Sequence, residues 1–531
     1  MKKLSKILAL LLALVMILSA LAACSSDKSD DKSDDTSSAD TSDSGDTATD
    51  GDSAHKLTIG VMQSPSTHDP QATNEKKRYQ SKLIYDSLMQ VNPETGDVEP
   101  LLAESVEYLD ELTLQVKLRQ DVMFTNGQNL KAEDVLYSLQ NVYGVGQMAS
   151  YFECYDWDAT EIVDDYTINF KFTKEYGPAI SLLSTYDIYC KADLEGADAL
   201  DADAWMTSPN GTGPYYCVEN VDSSHCTYHV KDNYWGTTPE CEEVTYKYYS
   251  EASTMYIDFE AGNLDAALGL SETDAQRVIN GEAPAGTVYQ INPIKDDLML
   301  VLPEYVEAFQ DERVREAVSL ALDQDAVSTA AFGCLYIKAT SMLPASVKFY
   351  EEQEPYTVDI DRAKALMEEA GYGDGLDLKL VITQDNQTVA EAIQGCLAQI
   401  GINLSIESYD PGTAIPMMMN GETDLCLKQT EGGSVTGDPS LLVDTLGPNS
   451  TLGAARQTDA TWSAAFDKAL YSSDETARAE GYAEMQEWAR ETNRIIPVCE
   501  RANMFVYNGD KIASFNLACA DEPNVRFVTF K

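Results

Sequence analysis

Leu376-Asp-Leu-Lys-Leu-Val-Ile382, Val389-Ala-Glu-Ala-Ile-Gln-Gly-Cys-Leu-Ala-Gln-Ile400 and Ile402-Asn-Leu-Ser-Ile406 follow one another with little between them. The first and last read as strands, and the middle run reads as a helix that Gly401 stops. Strand, helix and strand joined by short turns imply a parallel pair with a right-handed crossover. Just upstream, Asp361 is placed to cap another helix. Its Ala363, Leu366, Met367 and Ala370 share one face, and Gly371 ends it. The C-terminal half therefore holds an α/β lobe.

Further out, the pattern changes. Leu112-Thr-Leu-Gln-Val-Lys-Leu118 and Tyr166-Thr-Ile-Asn-Phe-Lys-Phe172 alternate strictly and read as half-buried strands, with a helix over Lys131–Val142 between them. The N-terminal half is thus richer in β-structure, and no repeat is visible. His55–Lys531 is too long for one core and suits two or three lobes. The chain has a net charge of −51, most of it beyond residue 54. Nucleic acid and anionic membrane surfaces are poor partners for such a surface.

The N-terminus reads as a leader rather than as fold. Lys2, Lys3 and Lys6 precede an apolar run to Leu21, shorter than the about 20 residues that span a bilayer. Leu21-Ala-Ala-Cys24 resembles the bacterial lipobox, in which the cysteine is lipidated and becomes the mature N-terminus. Residues 1–23 are then a lipoprotein signal peptide. Residues 24–54 are the lipidated Cys24 and a Ser/Asp-rich stalk that cannot bury enough surface to order itself. As a coil it spans roughly 30 Å. The expected location is the extracellular face of the cytoplasmic membrane, or the periplasm where an outer membrane exists.

Ten further cysteines include no CxxC pair, so a structural zinc knuckle is not expected. Most lie in apolar stretches and suit small buried hydrophobes. Cys217 and Cys226 flank a turn at Asp222-Ser223-Ser224 and are the best candidates for a bridge. His225 and His229 share a strand face but stand roughly 13 Å apart, too far to chelate one ion. No metal site or cofactor is expected. No Gly-x-Ser-x-Gly elbow, His-Glu-x-x-His helix or phosphate-binding loop appears, so the chain does not read as an enzyme.

A set of motifs carries a family resemblance. Glu99-Pro-Leu-Leu-Ala-Glu-Ser105, Leu118-Arg119, Val122-Met-Phe-Thr-Asn-Gly127 and Leu130-Lys-Ala-Glu-Asp-Val-Leu-Tyr-Ser138 resemble family 5 extracellular solute-binding proteins, the receptors of peptide and nickel ABC importers. Thr67-His-Asp-Pro70, Gly211-Thr-Gly-Pro-Tyr215, Asn233-Tyr-Trp-Gly236, Ala261-Gly-Asn-Leu-Asp265, the run Asp311–Asp325 and Ala363–Tyr372 match in the same order. The resemblance covers essentially all of His55–Lys531. It implies a periplasmic-binding-protein-like two-lobed α/β clamshell of class II, with an extra domain in the first lobe and two hinge crossings. Residues 55–82, 208–292 and 505–531 would form lobe I, 83–207 its extra domain, and 293–504 lobe II. The implied role is a monomeric, lipid-anchored binding protein that captures a peptide or peptide-like solute and delivers it to ABC permease subunits. A receptor for an oligosaccharide or metal chelate, or a sensory or adhesive clamshell without transport, is the alternative.

The ligand-facing residues follow partly from that resemblance. In peptide-binding members a tryptophan and an aspartate precede the Asp-Pro pair of the second lobe, and the aspartate holds the peptide's amino terminus. Counting back from Asp438-Pro439, those places are taken here by Gly432 and Val435. Glu431 either replaces the carboxylate from a shifted position or is a solvated loop acid. Gly432, Gly433 and Ser434 expose backbone to which an extended ligand can bond. Across the cleft, Asn74, Glu75 and Lys76 fall in the family's ligand-facing first-lobe segment. Tyr151 and Tyr155 are candidate pocket walls, with core packing the default for at least two of the aromatics between Tyr151 and Trp157. Tyr409, after the last strand of the C-terminal unit, is the strongest single candidate.

Overall fold

The computed structural model describes residues 55–62, 67–71, 78–92, 95–145, 149, 151–195, 199–429, 437–515 and 524–531. The leader, Cys24, the stalk, Asn74, Glu75, Lys76, Glu431, Gly432, Gly433 and Ser434 lie outside the described residues.

The parallel pair read from the sequence is present. Leu376–Thr383 and Ile402–Tyr409 pair in register from Leu376 with Ile402 to Thr383 with Tyr409, joined by the helix Gln387–Ala398. Gly401, at φ +82°, makes the turn into the second strand, a conformation open to a residue without Cβ. The helix Ile360–Glu369 buries Ala363, Leu366 and Met367. Its cap is Asp359 rather than Asp361. The Asp359 carboxylate accepts the Arg362 N–H at 2.9 Å, while Asp361 sits inside the first turn, where its charge favours the helix dipole.

In the N-terminal half, Ala103–Asp110, Thr113–Leu118, Thr167–Lys171 and Glu161–Asp164 form a four-stranded sheet in that order. The two strands expected from alternation are direct neighbours, and Leu114, Val116, Ile168 and Phe170 bury one face. The expected helix over Lys131–Val142 is α-helical over Ala132–Tyr137 and then widens to a π-helix over Ser138–Tyr143. The cause is local: Ser138 Oγ donates to the Asp134 carbonyl at 2.7 Å and accepts the Tyr189 N–H at 3.0 Å. A side chain inserted into the ladder loosens the turn.

Among the described residues the largest sheet has nine strands. Its order runs Cys426–Gln429, Thr287–Val301, Ile495–Asn508, Ala266–Leu268, Lys56–Met62, Glu243–Tyr249, His225–Val230 and Tyr215–Val221, with Tyr336–Lys338 pairing to Ile495–Asn508 off that path. Two strands carry the architecture: Thr287–Val301 has 15 residues and Ile495–Asn508 has 14. At one end, Phe505 and Tyr507 join the core of the N-terminal segments, and Met504 and Val506 join a smaller core around Met255–Val278. At the other, Leu298, Leu300, Ile496 and Val498 join a core built on Val314–Leu404, while Met299, Val301 and Ile495 join one built on Leu442–Ala489. The ladder between them breaks between Pro293 and Asp297 and again between Leu298 and Met299. Proline has no N–H to give a ladder. These strands are the two crossings of a two-lobed, mixed α/β clamshell.

Several motifs converge on one knot of backbone. A Cβ on Gly211 would stand 2.0 Å from the Ile84 carbonyl oxygen, and the Gly213 N–H donates to that oxygen at 2.8 Å. The Gly211 carbonyl accepts from the Thr125 N–H at 3.1 Å and from Lys231 Nζ at 2.8 Å. The Asn126 N–H donates to Asn210 Oδ1 at 2.9 Å, and the Trp235 indole N–H to the Thr212 carbonyl at 3.0 Å. Gly127 takes φ +84°, the left-handed turn expected of Asn126-Gly127. The C-terminal tail closes the knot: Arg526 donates to Asp86 Oδ1 at 2.7 Å and to the Tyr234 hydroxyl at 2.8 Å. Cys154, Cys190, Cys226, Cys241, Cys396, Cys426 and Cys499 are buried, as their apolar settings imply. Among the described residues no helix is long and apolar enough to cross a membrane.

Candidate functional site

The site grows from Asp438-Pro439, which opens the short helix Ser440–Asp444. The Asp438 carboxylate is 1 % exposed. It accepts the Ser440 N–H at 3.0 Å, and both its oxygens accept from Arg478 Nη2, at 3.0 and 2.8 Å. Arg478 also donates through Nε to the Ala469 carbonyl at 2.9 Å. Burial, the largest single influence, would lower the guanidinium pKa, but Asp438 and Tyr482 together hold Arg478 above its ordinary value. A charge pair this dry is stable only because each partner neutralises the other. It pins the helix Ser440–Asp444 in place.

The segment Lys174–Gly177 comes from the N-terminal half and meets this corner. The Gly177 N–H donates to the Leu470 carbonyl at 2.8 Å, and a Cβ there would stand 2.4 Å from Arg478 Nε. The Glu175 carboxylate accepts the Ser473 N–H at 2.9 Å and its hydroxyl at 3.1 Å. Lys174 Nζ lies 3.2 Å from the centroid of the Tyr471 ring, a cation–π contact. Leu441 crosses the other way and packs into the core of the N-terminal segments.

Asp444 ends the short helix, half-buried inside the corner. Burial, and after it the Glu153 charge, push its carboxyl up to about 6, while Lys428 pulls the other way. The Tyr151 hydroxyl is raised by burial and by Asp444, and Cys154 and Tyr176 also feel that carboxylate. Lys428 is 5 % exposed on the strand Cys426–Gln429, opposite Met299. Asp444 thus lies within electrostatic reach of a carboxylate from the other half, of an ammonium and of the Tyr151 and Tyr176 hydroxyls. Such a set complements a ligand bearing both signs of charge.

Of the residues expected to face a ligand, Tyr151 lies in this corner. Tyr155 does not line it. At 5 % exposed, its ring stacks on Trp157 at 4.9 Å and packs edge-on against Phe170 and Phe172. That corrects its expected place as a wall and makes it core. Tyr409 stands half-exposed at the end of its strand, its hydroxyl donating to Glu407 Oε2 at 3.3 Å, and the Glu407 charge raises its pKa. No hydrogen bond or ring contact joins Tyr151, Tyr155 and Tyr409 to one another. Asp444, Glu153, Lys428 and Arg478 were not singled out from sequence; the nearest signal was Asp438-Pro439, six residues before Asp444. His225 pairs with Glu219 at 3.3 Å and His229 with Glu243 at 2.8 Å. Among the described residues no group of three His, Cys, Asp or Glu side chains is arranged to hold a metal ion.

Comparison with known proteins adds three kinds of likeness. The family model for bacterial extracellular solute-binding proteins, family 5 (middle region), matches residues 97–451. The dipeptide-binding protein of Escherichia coli strain K12 is 25 % identical over 420 residues, covering 72 % of this chain and 77 % of its own. Heme-binding protein A of Haemophilus influenzae is 25 % identical over 448 residues, covering 76 % and 79 %. Among solved structures, NikA of Brucella suis in complex with Fe(III)-EDTA superposes with a TM-score of 0.77 at 23 % identity, covering 90 % of this chain and 100 % of that one. DppA of Helicobacter pylori in complex with the peptide STSA gives 0.71 at 22 %, covering 90 % and 98 %.

Proposed function

This chain belongs to the family 5 bacterial extracellular solute-binding proteins, and from that premise we propose that it is the receptor of an ABC importer for a short peptide or peptide-like zwitterion. What supports the ligand class is that Asp444 feels the charges of Glu153 and Lys428 and itself acts on Tyr151. Asp444 and Glu153 receive the ligand's ammonium, and Lys428 compensates its carboxylate. Because Glu153 and Tyr151 come from one half and Asp444 and Lys428 from the other, a ligand touching all four bonds fully only in the closed form. Binding then shifts the open–closed equilibrium, and the closed surface is what permease subunits recognise. No bond of the ligand is broken. Residues 55–82, 208–292 and 505–531 form lobe I in this reading, 83–207 its extra domain and 293–504 lobe II. Cys24 carries the lipid that holds the receptor at the outer face of the membrane.

Calorimetric titration of the full mature chain tests the reading. The ligand panel is di- to tetrapeptides, their N-acetylated and C-amidated forms, haem and Fe(III)-EDTA. Free peptides bind, and blocking either terminus weakens them at least about tenfold, roughly 1.4 kcal/mol. Tight binding of haem or the chelate with no response to any peptide overturns the proposal.

A further inference from the structure

Tyr215–Val221 and His225–Val230 form a hairpin at the edge of the nine-stranded sheet, turning through Ser223 at φ 56°. The ladder sets Cys217 opposite Tyr228 and Asn220 opposite Cys226, with a register shift between Cys217 and Glu219. Cys217 and Cys226 therefore project from the same face as diagonal neighbours, and the bulge shortens the diagonal. Their sulfurs stand 3.4 Å apart. The thiols of Cys190, Cys241 and Cys334 instead point at oxygen acceptors. We infer that Cys217 and Cys226 are a disulfide-forming site that staples the edge strand to its neighbour when the protein meets a small-molecule disulfide.

The two sulfurs are not equivalent. Cys217 is partly exposed and Cys226 is 1 % exposed. The hydrogen bond between them lowers the Cys217 pKa and raises that of Cys226, which makes Cys217 the attacking thiolate. It attacks one sulfur of the disulfide RSSR, expels RS⁻ and forms a Cys217–S–SR adduct. Cys226 then gives up its proton and attacks Cys217 Sγ, expelling the second RS⁻. Two thiols lose two electrons and two protons in all, and RSSR leaves as two RSH. An exported protein meets such oxidants. The bridge also tightens the strand beneath the first-lobe segment: Tyr228 reaches His68 at 3.2 Å, and on the neighbouring strand Tyr248 accepts from Gln80 at 2.8 Å.

The test equilibrates the reduced full chain with oxidised glutathione, quenches with acid, and alkylates the denatured protein with N-ethylmaleimide before peptide mass spectrometry. Labelling of Cys217 and Cys226 falls together by about tenfold or more, with a cross-linked peptide pair lacking two hydrogens. Labelling of Cys190 and Cys241 holds. In Cys226→Ser the partly exposed Cys217 accumulates a glutathione adduct instead, and in Cys217→Ser the buried Cys226 stays reduced. Unchanged labelling of both thiols overturns the inference, as does a stable Cys217 adduct in the wild-type chain with Cys226 still free.

Discussion

The knot around Gly211 and the corner around Asp438 hold the chain by opposite means. In the knot, carbonyls of Ile84, Gly211 and Thr212 take most of the bonds, and two glycines make the approach feasible. In the corner, charged side chains make the joints: Arg478 on Asp438, Glu175 on Ser473, Lys174 over Tyr471. Backbone joints tolerate almost no change of residue and carry no information about cargo. The outer side-chain joints, Glu175 on Ser473 and Lys174 over Tyr471, can be re-cut at small cost, whereas the buried Asp438–Arg478 pair cannot. In the proposed receptor the first kind of joint serves the scaffold, and the selective site lies beside the second.

Replacing residues in each region separates stability from affinity. Arg478→Met strands the Asp438 carboxylate in a site where it is 1 % exposed, and the expected loss is about 3–5 kcal/mol in denaturant unfolding. Gly211→Ala drives a Cβ to 2.0 Å from the Ile84 oxygen. It is expected to lower stability by about 3 kcal/mol, the upper part of the overpacking range, while peptide affinity in the folded fraction stays unchanged. If affinity collapsed as well, the division between scaffold and selectivity would be lost.

Asp444→Asn tests the corner through pH. A carboxyl raised to about 6 by burial favours its protonated form in the native state. Its contribution is therefore fully present below the unfolded value near 4 and is lost as pH rises through about 6. The asparagine variant should lose that decline and be more stable at pH 7 by about 2 kcal/mol, followed by urea midpoints from pH 4 to pH 8. It should nevertheless bind peptides more weakly, because the ammonium has lost a counter-charge. Glu175→Ala removes two bonds between the halves. About 1 kcal/mol less closure energy is expected, read as roughly fivefold weaker peptide binding with the same melting temperature.

Much of the fold was legible because local rules decide it. Alternation places Leu114, Val116, Ile168 and Phe170 on one buried face, and Gly371 and Gly401 end helices with positive φ. Where two side chains compete for one role, the reading slipped: Asp359 caps the helix assigned to Asp361. The π-turn after Tyr137 was invisible, since it depends on Ser138 meeting Tyr189, which lies 51 residues later. The site was harder for the same reason. Asp444 follows an apolar run, Lys428 lies in a buried strand and Glu153 is an ordinary acid in an acid-rich chain. Only tertiary approach gives them a joint meaning. Tyr155 shows the converse, an aromatic whose neighbours in sequence suggested a wall and whose neighbours in space make it core.

The long strands Thr287–Val301 and Ile495–Asn508 lie side by side in one ladder, so the halves are linked by a two-ply ribbon rather than by separate strings. Such a ribbon resists stretching and shear but yields to twist, like a torsion bar. Its compliance collects where the pairing lapses, between Pro293 and Asp297. Opening should therefore be a rotation about the ribbon's length with both ends carried rigidly, and amide protons beside that lapse should exchange with solvent sooner than those on either flank.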